Sequence, residues 1–300
     1  MSISNKLIVI LGPTASGKTS LAIKLAKEFN GEIVSADSRQ IYRGMDIGTA
    51  KPLDLEGIPH HLLDIKTPYQ NYTVAEYKED AIKIIKDIQS LGKLPILAGG
   101  TGLYIKAVVE NLDIPKVEPD PVLRKKIEND ITEKGLEFVF NQLIELDPEA
   151  AYIVDPKNPR RVVRALEVTL LTNKPFSEQR KHGNPLFDVL ELGISVPNEK
   201  LKDRIDFRVD EMAKEGLVDE VKSLVEKYGA NQQAFDAIGY REIIEFLLNK
   251  ITLSQALENM KMNTWHFAKR QMTWFKKDPK IRWISCYGEA ENLVEKFFLN

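Results

Sequence analysis

The sequence has little cysteine and no long apolar run, and it lacks an excess of positive charge. With Cys286 as the single cysteine, no intramolecular disulfide and no cysteine-based zinc site can form, which fits a reducing cytosol. A net charge of −2 lacks the basic excess typical of nucleic-acid-binding proteins. The N-terminal apolar stretch is too short for a signal peptide, and no stretch reaches membrane-spanning length. We therefore expect a soluble, cytoplasmic protein with no membrane segment. We also expect a monomer, although the sequence leaves the oligomeric state open.

A glycine-rich segment directly after the apolar stretch Leu7–Leu11 fits the phosphate-loop pattern G-x-x-x-x-G-K-[ST], which is typical of nucleotide-binding and ATP-binding proteins. Its glycines let backbone N–H groups point at phosphate oxygens, Lys18 adds a positive charge, and the Thr19 hydroxyl can join a Mg²⁺ shell. A glycine turn that matches by chance is the alternative, but a strand before and a helix after favour the motif. The pattern predicts a phosphate site at Gly12, Pro13, Thr14, Ala15, Ser16, Gly17, Lys18 and Thr19.

Apolar stretches alternate with amphipathic helical patterns in the first third of the chain, which is the order of a parallel α/β sheet. From Asp120 the pattern changes, because Asp120-Pro121, Asp147-Pro148 and Asn158-Pro159 each look like a helix N-cap followed by proline. They predict three helices with no strand between them. We expect an α/β fold with a P-loop NTPase-like parallel sheet flanked by helices (1–120 and 185–300) and an inserted all-helical domain (121–184). Strands are predicted at 7–11, 32–35, 61–64, 94–98, 187–196 and 281–284.

Three further sequence features constrain the chemistry. The strand at 94–98 ends in Ala98-Gly99-Gly100, without the acidic Mg²⁺ ligand that a motor or switch NTPase places there. The carboxylate at a strand end is instead Asp37, a candidate proton acceptor whose structural alternative is a helix N-cap. The turn Gly99–Gly102 exposes backbone where ligands of open parallel sheets bind, although it could be a plain connection. Because the strand at 94–98 ends without an acidic Mg²⁺ ligand, an energy-coupled NTPase is disfavoured.

Several blocks of sequence occur together in one order, namely Ser35–Pro52, Gly99–Tyr104, Arg160–Glu167, Ala237–Glu242 and Ala268–Phe275. With the phosphate loop, they closely resemble the tRNA dimethylallyltransferases over nearly the whole chain. The scarcity of cysteine is similar to the bacterial-type members, since eukaryotic relatives often append a zinc finger. One departure is Trp265-His266, where members are often basic.

The resemblance implies a prenyltransferase of tRNA modification. It would transfer a dimethylallyl group from dimethylallyl diphosphate to the exocyclic N6 of the adenosine 3′-adjacent to the anticodon, in tRNAs reading codons that begin with U. The products would be N6-dimethylallyladenosine and diphosphate. The implied partners are tRNA, through its anticodon stem-loop, and dimethylallyl diphosphate, with Mg²⁺ as cofactor.

The resemblance also implies roles for particular residues. The phosphate loop would hold the donor diphosphate, Thr19 would bind Mg²⁺, and Lys18 would stabilise the leaving group. Asp37 would take the proton from N6, and Thr101 would donate to the bridging oxygen of the leaving group. Arg204 and Arg208 could clamp the diphosphate, although a solvated helix face explains them almost as well. The implied tRNA contacts are Asp37, Ser38, Arg39, Gln40, Thr101, Arg124, Arg160, Arg161, Val162, Val163, Arg164, Ala165, Lys269 and Arg270.

Three alternative functions stay open at the level of sequence. A prenyltransferase acting on free adenine nucleotides would use the same loop and carboxylate, but the tRNA-facing blocks and the helical insertion argue against it. A small-molecule kinase would bind a nucleoside triphosphate and need a clamp for the donor phosphate. A catalytically idle binding module would tolerate loss of Asp37 and Thr101, and both are present.

Overall fold

The computed structural model describes residues 5–52, 54–115, 117–179 and 183–299. The chain divides into two compact units, an α/β unit (Met1–Val109 and Leu186–Asn300) and a helical unit (Glu110–Pro185). The insertion expected at 121–184 lies within the helical unit. Across the described ranges, no helix combines the length and apolar character that crossing a bilayer requires.

A six-stranded sheet forms the centre of the α/β unit. Its strands are β1 (Lys6–Leu11), β2 (Gly31–Ser35), β3 (His60–His61), β4 (Leu94–Gly99), β5 (Asp188–Ile194) and β6 (Arg282–Ile284). They pair in parallel in the order β3-β2-β4-β1-β5-β6, which confirms the predicted fold class. The strand predicted at 61–64 is shorter than expected, because Leu62 and Asp64 adopt left-handed φ values of 64° and 56° that end it.

Helices cover both faces of this sheet and build the second unit. They are α1 (Lys18–Glu28), α2 (Val74–Ser90), α3 (Gly102–Val109), α4 (Pro121–Lys134), α5 (Leu136–Leu146), α6 (Ala150–Ile153), α7 (Pro159–Thr172), α8 (Asn198–Lys214), α9 (Leu217–Tyr228), α10 (Tyr240–Leu247), α11 (Leu253–Phe275) and α12 (Tyr287–Leu299). Several begin as the sequence predicts, and α11 has the expected capping box of Thr252 and Gln255.

The sheet is buried on both faces, which explains why its central strands are continuous apolar runs rather than alternating ones. In β1, Leu7, Val9 and Leu11 pack into the core formed with α2 and α3. The intervening Ile8 and Ile10 pack into the core formed with α1 and α12. A third cluster joins Ile41, Tyr42 and Met45 to α8–α11. The loops that follow β1, β2 and β4 therefore extend from a sheet that is packed on both faces.

The described part of the helical unit contains four α-helices, where the sequence predicts three. Asp120 and Asn158 cap α4 and α7 as expected, and each is followed by proline at the first position. The prediction for Asp147 is wrong, because α6 begins after Glu149 and the Asp147 carboxylate instead accepts the N–H and hydroxyl of Ser177. The additional helix, α5, follows Gly135 at φ 90° and has no side-chain cap, so the sequence carries no start signal there. A similar gap explains α10, which follows Gly239 at φ 96° and was not expected. The core of the unit contains Ile127, Val139, Leu143, Val162 and Ala165.

Candidate active site

The phosphate loop joins β1 to α1, as the motif predicts. Gly12, Ala15 and Gly17 adopt φ values of 151°, 59° and 95°, which curl the loop over the start of the helix. Gly17 is the N-cap residue of α1 and provides no side-chain cap. The first N–H groups of a helix lack intrahelical acceptors, so the loop and helix together offer backbone donors to an anion.

Lys18 lies in this loop with its ammonium turned inward. Its Nζ donates to the carbonyl of Pro13 at 2.7 Å. Burial lowers the pKa of Lys18 to about 8; the nearby Asp37 carboxylate acts against this shift, and the Arg208 guanidinium adds to it. The predicted proton acceptor, the loop lysine and one predicted arginine are thus close enough to interact electrostatically.

The ends of β2 and β4 are bound to each other at Thr101. The Thr101 N–H donates to the Ala36 carbonyl at 3.1 Å. Its Oγ1 accepts the Ser38 N–H at 3.0 Å and lies 3.3 Å from the Ser38 hydroxyl. A Cβ on Gly99 would lie 2.2 Å from the Ala36 carbonyl oxygen, so only glycine permits this approach. The segment that carries Asp37 and the turn that carries Thr101 therefore have one fixed geometry.

The Asp37 carboxylate is half-buried at the carboxyl end of β2. Its Oδ1 accepts the N–H of Arg39 at 2.8 Å, which closes a local turn. The other oxygen, Oδ2, has no partner in the described part of the chain. Asp37 thus has one oxygen that fixes its orientation and one that can accept a substrate proton.

Arg39 and Gln40 make contacts within the fold. The Arg39 guanidinium donates to the carbonyls of Gln233 and Ala234 at 3.1 and 3.3 Å. The Gln40 amide donates to the carbonyls of Thr49 and Ala50, both at 3.3 Å. Ser38, Arg39 and Gln40 were all expected to contact tRNA. The side chains of Arg39 and Gln40 instead bind the backbone of neighbouring loops, and of the three residues only Ser38 lies beside Thr101.

Arg204 and Arg208 lie on α8 beside the phosphate loop. Both line a cavity of about 800 Å³ that also contacts Ala15, Ser16 and Gly17. Burial lowers the pKa of Arg208, whereas Arg204 is exposed. The structure therefore brings both arginines to the loop, with Arg208 on the more enclosed side.

A carboxylate that the sequence analysis missed shapes the opposite wall of this cavity. Glu220 accepts the backbone N–H groups of Asp46, Ile47 and Gly48 at 3.0, 2.7 and 3.1 Å, and the Tyr240 hydroxyl at 2.6 Å. Four donors on one carboxylate fix the 46–48 loop. Because the partners are more than 170 residues apart except for Tyr240, no local pattern reveals this role.

Gln271 is a second residue that the sequence analysis did not single out. It lies on α11, where its Oε1 accepts the Thr14 N–H of the phosphate loop at 2.9 Å and its Nε2 donates to the Gly100 carbonyl at 2.9 Å. A signal for it exists in the sequence: Ala268, Gln271 and Phe275 form one buried stripe of α11, in which a polar amide requires partners. One side chain thus ties together the two glycine-rich turns.

The predicted tRNA contacts of the helical unit fall into two groups. Val162, Val163 and Ala165 are buried in its core, so the structure does not place their side chains where an RNA could touch them. Arg124 and Arg164 both donate to the fully buried Glu167 at 2.7 Å. Arg124 and Arg164 are partly buried, whereas the two arginines that begin α7, Arg160 and Arg161, are exposed.

In the α/β unit, Lys269 and Arg270 are exposed on α11 next to aromatic rings. Lys269 Nζ lies 4.8 Å from the centre of the Trp265 ring, and the Arg270 guanidinium carbon lies 6.0 Å from that of Phe267. Cations that stack on exposed rings suit a single-stranded nucleic acid, whose bases and phosphates match both groups. Gln271, the next residue, faces the opposite, buried side.

Comparison with known proteins gives one consistent result. The family model described as IPP transferase matches residues 40–278. A tRNA dimethylallyltransferase of Carboxydothermus hydrogenoformans is 46% identical, covering 98% of this chain and 96% of the relative, and one of Acetivibrio thermocellus is 48% identical over 98% and 97%.

Solved structures agree. The tRNA isopentenylpyrophosphate transferase from Bacillus halodurans superposes with a TM-score of 0.74 at 38% identity, covering 98% of this chain and 97% of that one. A eukaryotic dimethylallyltransferase described as acting on tRNA gives a TM-score of 0.80 at 32% identity, with 94% and 74% covered.

Proposed function

The chain belongs to the IPP transferase family, and we propose that it transfers a dimethylallyl group from dimethylallyl diphosphate to N6 of the adenosine on the 3′ side of the anticodon, in tRNAs that read codons beginning with U. The observation that carries this proposal is the grouping of Asp37, Thr101 and Lys18 at the carboxyl ends of β1, β2 and β4. A proton acceptor, a hydroxyl donor and a partly buried cation stand together at the loop that binds anions.

The donor diphosphate binds in the phosphate loop. The N–H groups at the start of α1 donate to its oxygens, and Lys18 and Arg208 supply positive charge in a poorly hydrated site. These interactions strengthen as the bond between the allyl carbon and the bridging oxygen breaks, because negative charge then accumulates on the diphosphate. The site thereby favours the transition state over the bound donor.

The acceptor amine is activated by position rather than by strong basicity. N6 of adenosine forms the new bond to the allyl carbon, and its surplus proton passes to the Asp37 carboxylate through Oδ2. The Thr101 hydroxyl donates to the bridging oxygen, whose bonding electrons leave with the diphosphate. The target base must leave its stack to reach this site.

We further propose Mg²⁺ as the metal and the cytoplasm as the compartment. The described residues hold no group of three or more His, Cys, Asp or Glu that could bind a metal by themselves. The Thr19 hydroxyl, exposed at the first turn of α1, is suited to a cation that takes most of its ligands from phosphate oxygens and water. When bound, Mg²⁺ neutralises charge on the diphosphate. ATP, the usual ligand of this motif, is not a substrate in this proposal.

For tRNA, we propose phosphate contacts from Arg161 in the helical unit and from Lys269 and Arg270 in the α/β unit. All three are exposed, and the last two carry aromatic neighbours. With a net charge of −2, such local clusters must supply the attraction that the whole chain lacks. The protein acts as a monomer in this proposal.

The test is to incubate the full chain with Mg²⁺, dimethylallyl diphosphate and unmodified tRNA, and to weigh the digested nucleosides by mass spectrometry. The expected product is a five-carbon adduct on the single adenosine after the anticodon, which Asp37→Ala greatly reduces. Transfer to free adenine nucleotides but not to tRNA would contradict the proposal, as would phosphorylation of a small molecule from ATP without any prenyl transfer.

A further inference from the structure

The phosphate loop raises a question that its motif does not answer. The same motif serves in other proteins to hold nucleoside triphosphates, yet the proposed reaction uses a diphosphate. Some feature outside the motif must therefore set how many phosphates the loop accepts. The relevant feature must lie near Lys18, because the lysine of such loops reaches the terminal phosphates.

Gln271 lies at this position. A Cβ placed on Gly100 would lie 2.4 Å from Gln271 Nε2 and 3.8 Å from Lys18 Nζ, so the amide and the ammonium flank one point. Gln271 is 93% buried, being only 7% exposed, and both ends of its amide are hydrogen-bonded. It is held in one orientation by the phosphate loop on one side and the β4 turn on the other.

We propose that Gln271 is a specificity-determining residue that restricts the phosphate loop to diphosphates. It does so by occupying the Thr14 N–H and the space beside Lys18 that a third phosphate would need. The inference rests on the proposed function and names how its donor site discriminates among phosphorylated ligands.

The Thr14 N–H is one of the donors that the loop could offer to a phosphate, and the Gln271 oxygen already accepts it. A third phosphate could enter only by displacing this amide. Displacement would leave the Gly100 carbonyl and the Gln271 amide without partners in a buried place, which is costly. A diphosphate bound at the start of α1 leaves both hydrogen bonds intact.

A purely structural role for Gln271, in which it only connects the two turns, makes a different prediction. If Gln271 only held the loops in place, its removal would lower the affinity for every phosphorylated ligand by a similar factor. Under the proposal, removal changes the ratio of two affinities, because it frees a donor and a volume that only the longer anion uses. The ratio therefore distinguishes the two roles.

The test uses calorimetric titration of the full chain with inorganic diphosphate and with tripolyphosphate, in the same excess of Mg²⁺. We expect the wild-type chain to bind diphosphate about tenfold more tightly than tripolyphosphate, and Gln271→Ala to bring the ratio to about one. The comparison variant is Gln271→Glu, which keeps the size and the acceptor for Thr14, adds negative charge and loses only the donor to the Gly100 carbonyl, so the ratio should stay at or above the wild-type value although the tie between the two turns is broken.

A ratio that Gln271→Ala leaves within about twofold of the wild-type value would overturn the inference while leaving the proposed function intact. Should the alanine variant fail to unfold cooperatively, Gln271→Ser replaces it: serine also frees the volume and is too short to accept the Thr14 N–H, and an unchanged ratio would again contradict the inference. If neither anion binds or competes with dimethylallyl diphosphate, the proposed donor site itself fails, and the inference fails with it.

Discussion

In the helical unit, the buried carboxylate of Glu167 accepts hydrogen bonds from Arg124 and Arg164, and it also accepts the N–H of Asp120 at 3.2 Å. In the α/β unit, Lys18 donates to a backbone carbonyl and makes no ion pair in the described part of the chain. The helical unit neutralises the buried Glu167 internally, and the α/β unit neutralises the buried Lys51 in the same way through Asp46 and Asp64, whereas the cation of Lys18 is left for a ligand. Arginines that a family motif assigns to RNA can therefore serve folding, and a cation that no residue neutralises marks the site of chemistry.

The largest effect is expected where the α/β unit performs the chemistry. Asp37→Asn should lower the single-turnover rate about 10²–10⁴-fold, because the amide cannot take the proton from N6. The amide oxygen can still accept the Arg39 N–H, so the turn should persist. Rapid-quench measurement gives the rate, with tRNA and donor affinities as controls. A rate close to that of the wild-type chain would show that Asp37 is structural, as Glu167 is.

The second prediction concerns the ion pairs of Glu167 with Arg124 and Arg164 in the helical unit. Glu167→Gln leaves two partly buried guanidinium groups without a counter-charge, and should lower the free energy of unfolding of this unit by about 2–4 kcal/mol. Hydrogen exchange at residues 121–172 in the full chain measures it. The control is Arg161→Ala, an exposed site where a change within about 0.5 kcal/mol is expected. Equal effects of the two substitutions would remove the distinction between the units.

A third prediction separates binding arginines from structural ones. Arg161→Ala should weaken tRNA binding a few-fold and reduce the salt dependence of the affinity by about one unit of slope, because one phosphate contact is lost. Arg164→Ala should instead destabilise the helical unit and leave the slope unchanged, since its guanidinium is bound to Glu167 and to the Val117 carbonyl. Filter binding over a salt series decides, and a reversed pattern would contradict the assignment.

The smallest effect is a pH dependence. With its pKa lowered to about 8, Lys18 is protonated below that pH and loses its charge above it. The KM for dimethylallyl diphosphate should therefore rise a few-fold between about pH 7 and pH 9. Lys18→Arg, which stays charged, should give a flat profile in the same assay. A parallel rise in both proteins would mean that another group titrates.

The same shift has a consequence for folding stability with the opposite sign. Between about pH 8 and pH 10.5, the unfolded chain holds a proton on this lysine that the native chain lacks. Stability from this group therefore increases with pH across that window.

Much of the fold is predictable from local sequence because local chemistry determines it. The phosphate-loop motif, the proline-containing caps at Asp120 and Asn158, and the capping box at Thr252 each specify an element within a few residues. The sequence analysis did not predict α5 and α10, because both helices begin after a glycine, which has no side chain that could cap the helix. Tertiary packing, rather than a local signal, defines the start of α5. At α10 the Glu242 carboxylate accepts the Gly239 N–H at 2.7 Å, which is one half of a capping box.

The candidate site is predictable only in part. Asp37 and the loop are recognisable from their places after strands, whereas Gln271 acts on Thr14 and Gly100 at separations of 257 and 171 residues. Glu220 likewise acts across more than 170 residues on the 46–48 loop. Arg164 and Glu167 lie three residues apart on one helix, a spacing from which an ion pair can be predicted. The family motif assigned Arg164 to tRNA binding, so this ion pair was not predicted.

The most direct test of the contrast between the two units is the proton uptake that accompanies donor binding. Titrating dimethylallyl diphosphate into the full chain at pH 8, in buffers of different ionisation enthalpy, measures it by calorimetry. Because the anion favours the charged form of Lys18, the account predicts uptake of about half a proton by the wild-type chain and none by Lys18→Arg. Binding without uptake, or with the same uptake in both proteins, would contradict the claim that this cation is held for the ligand.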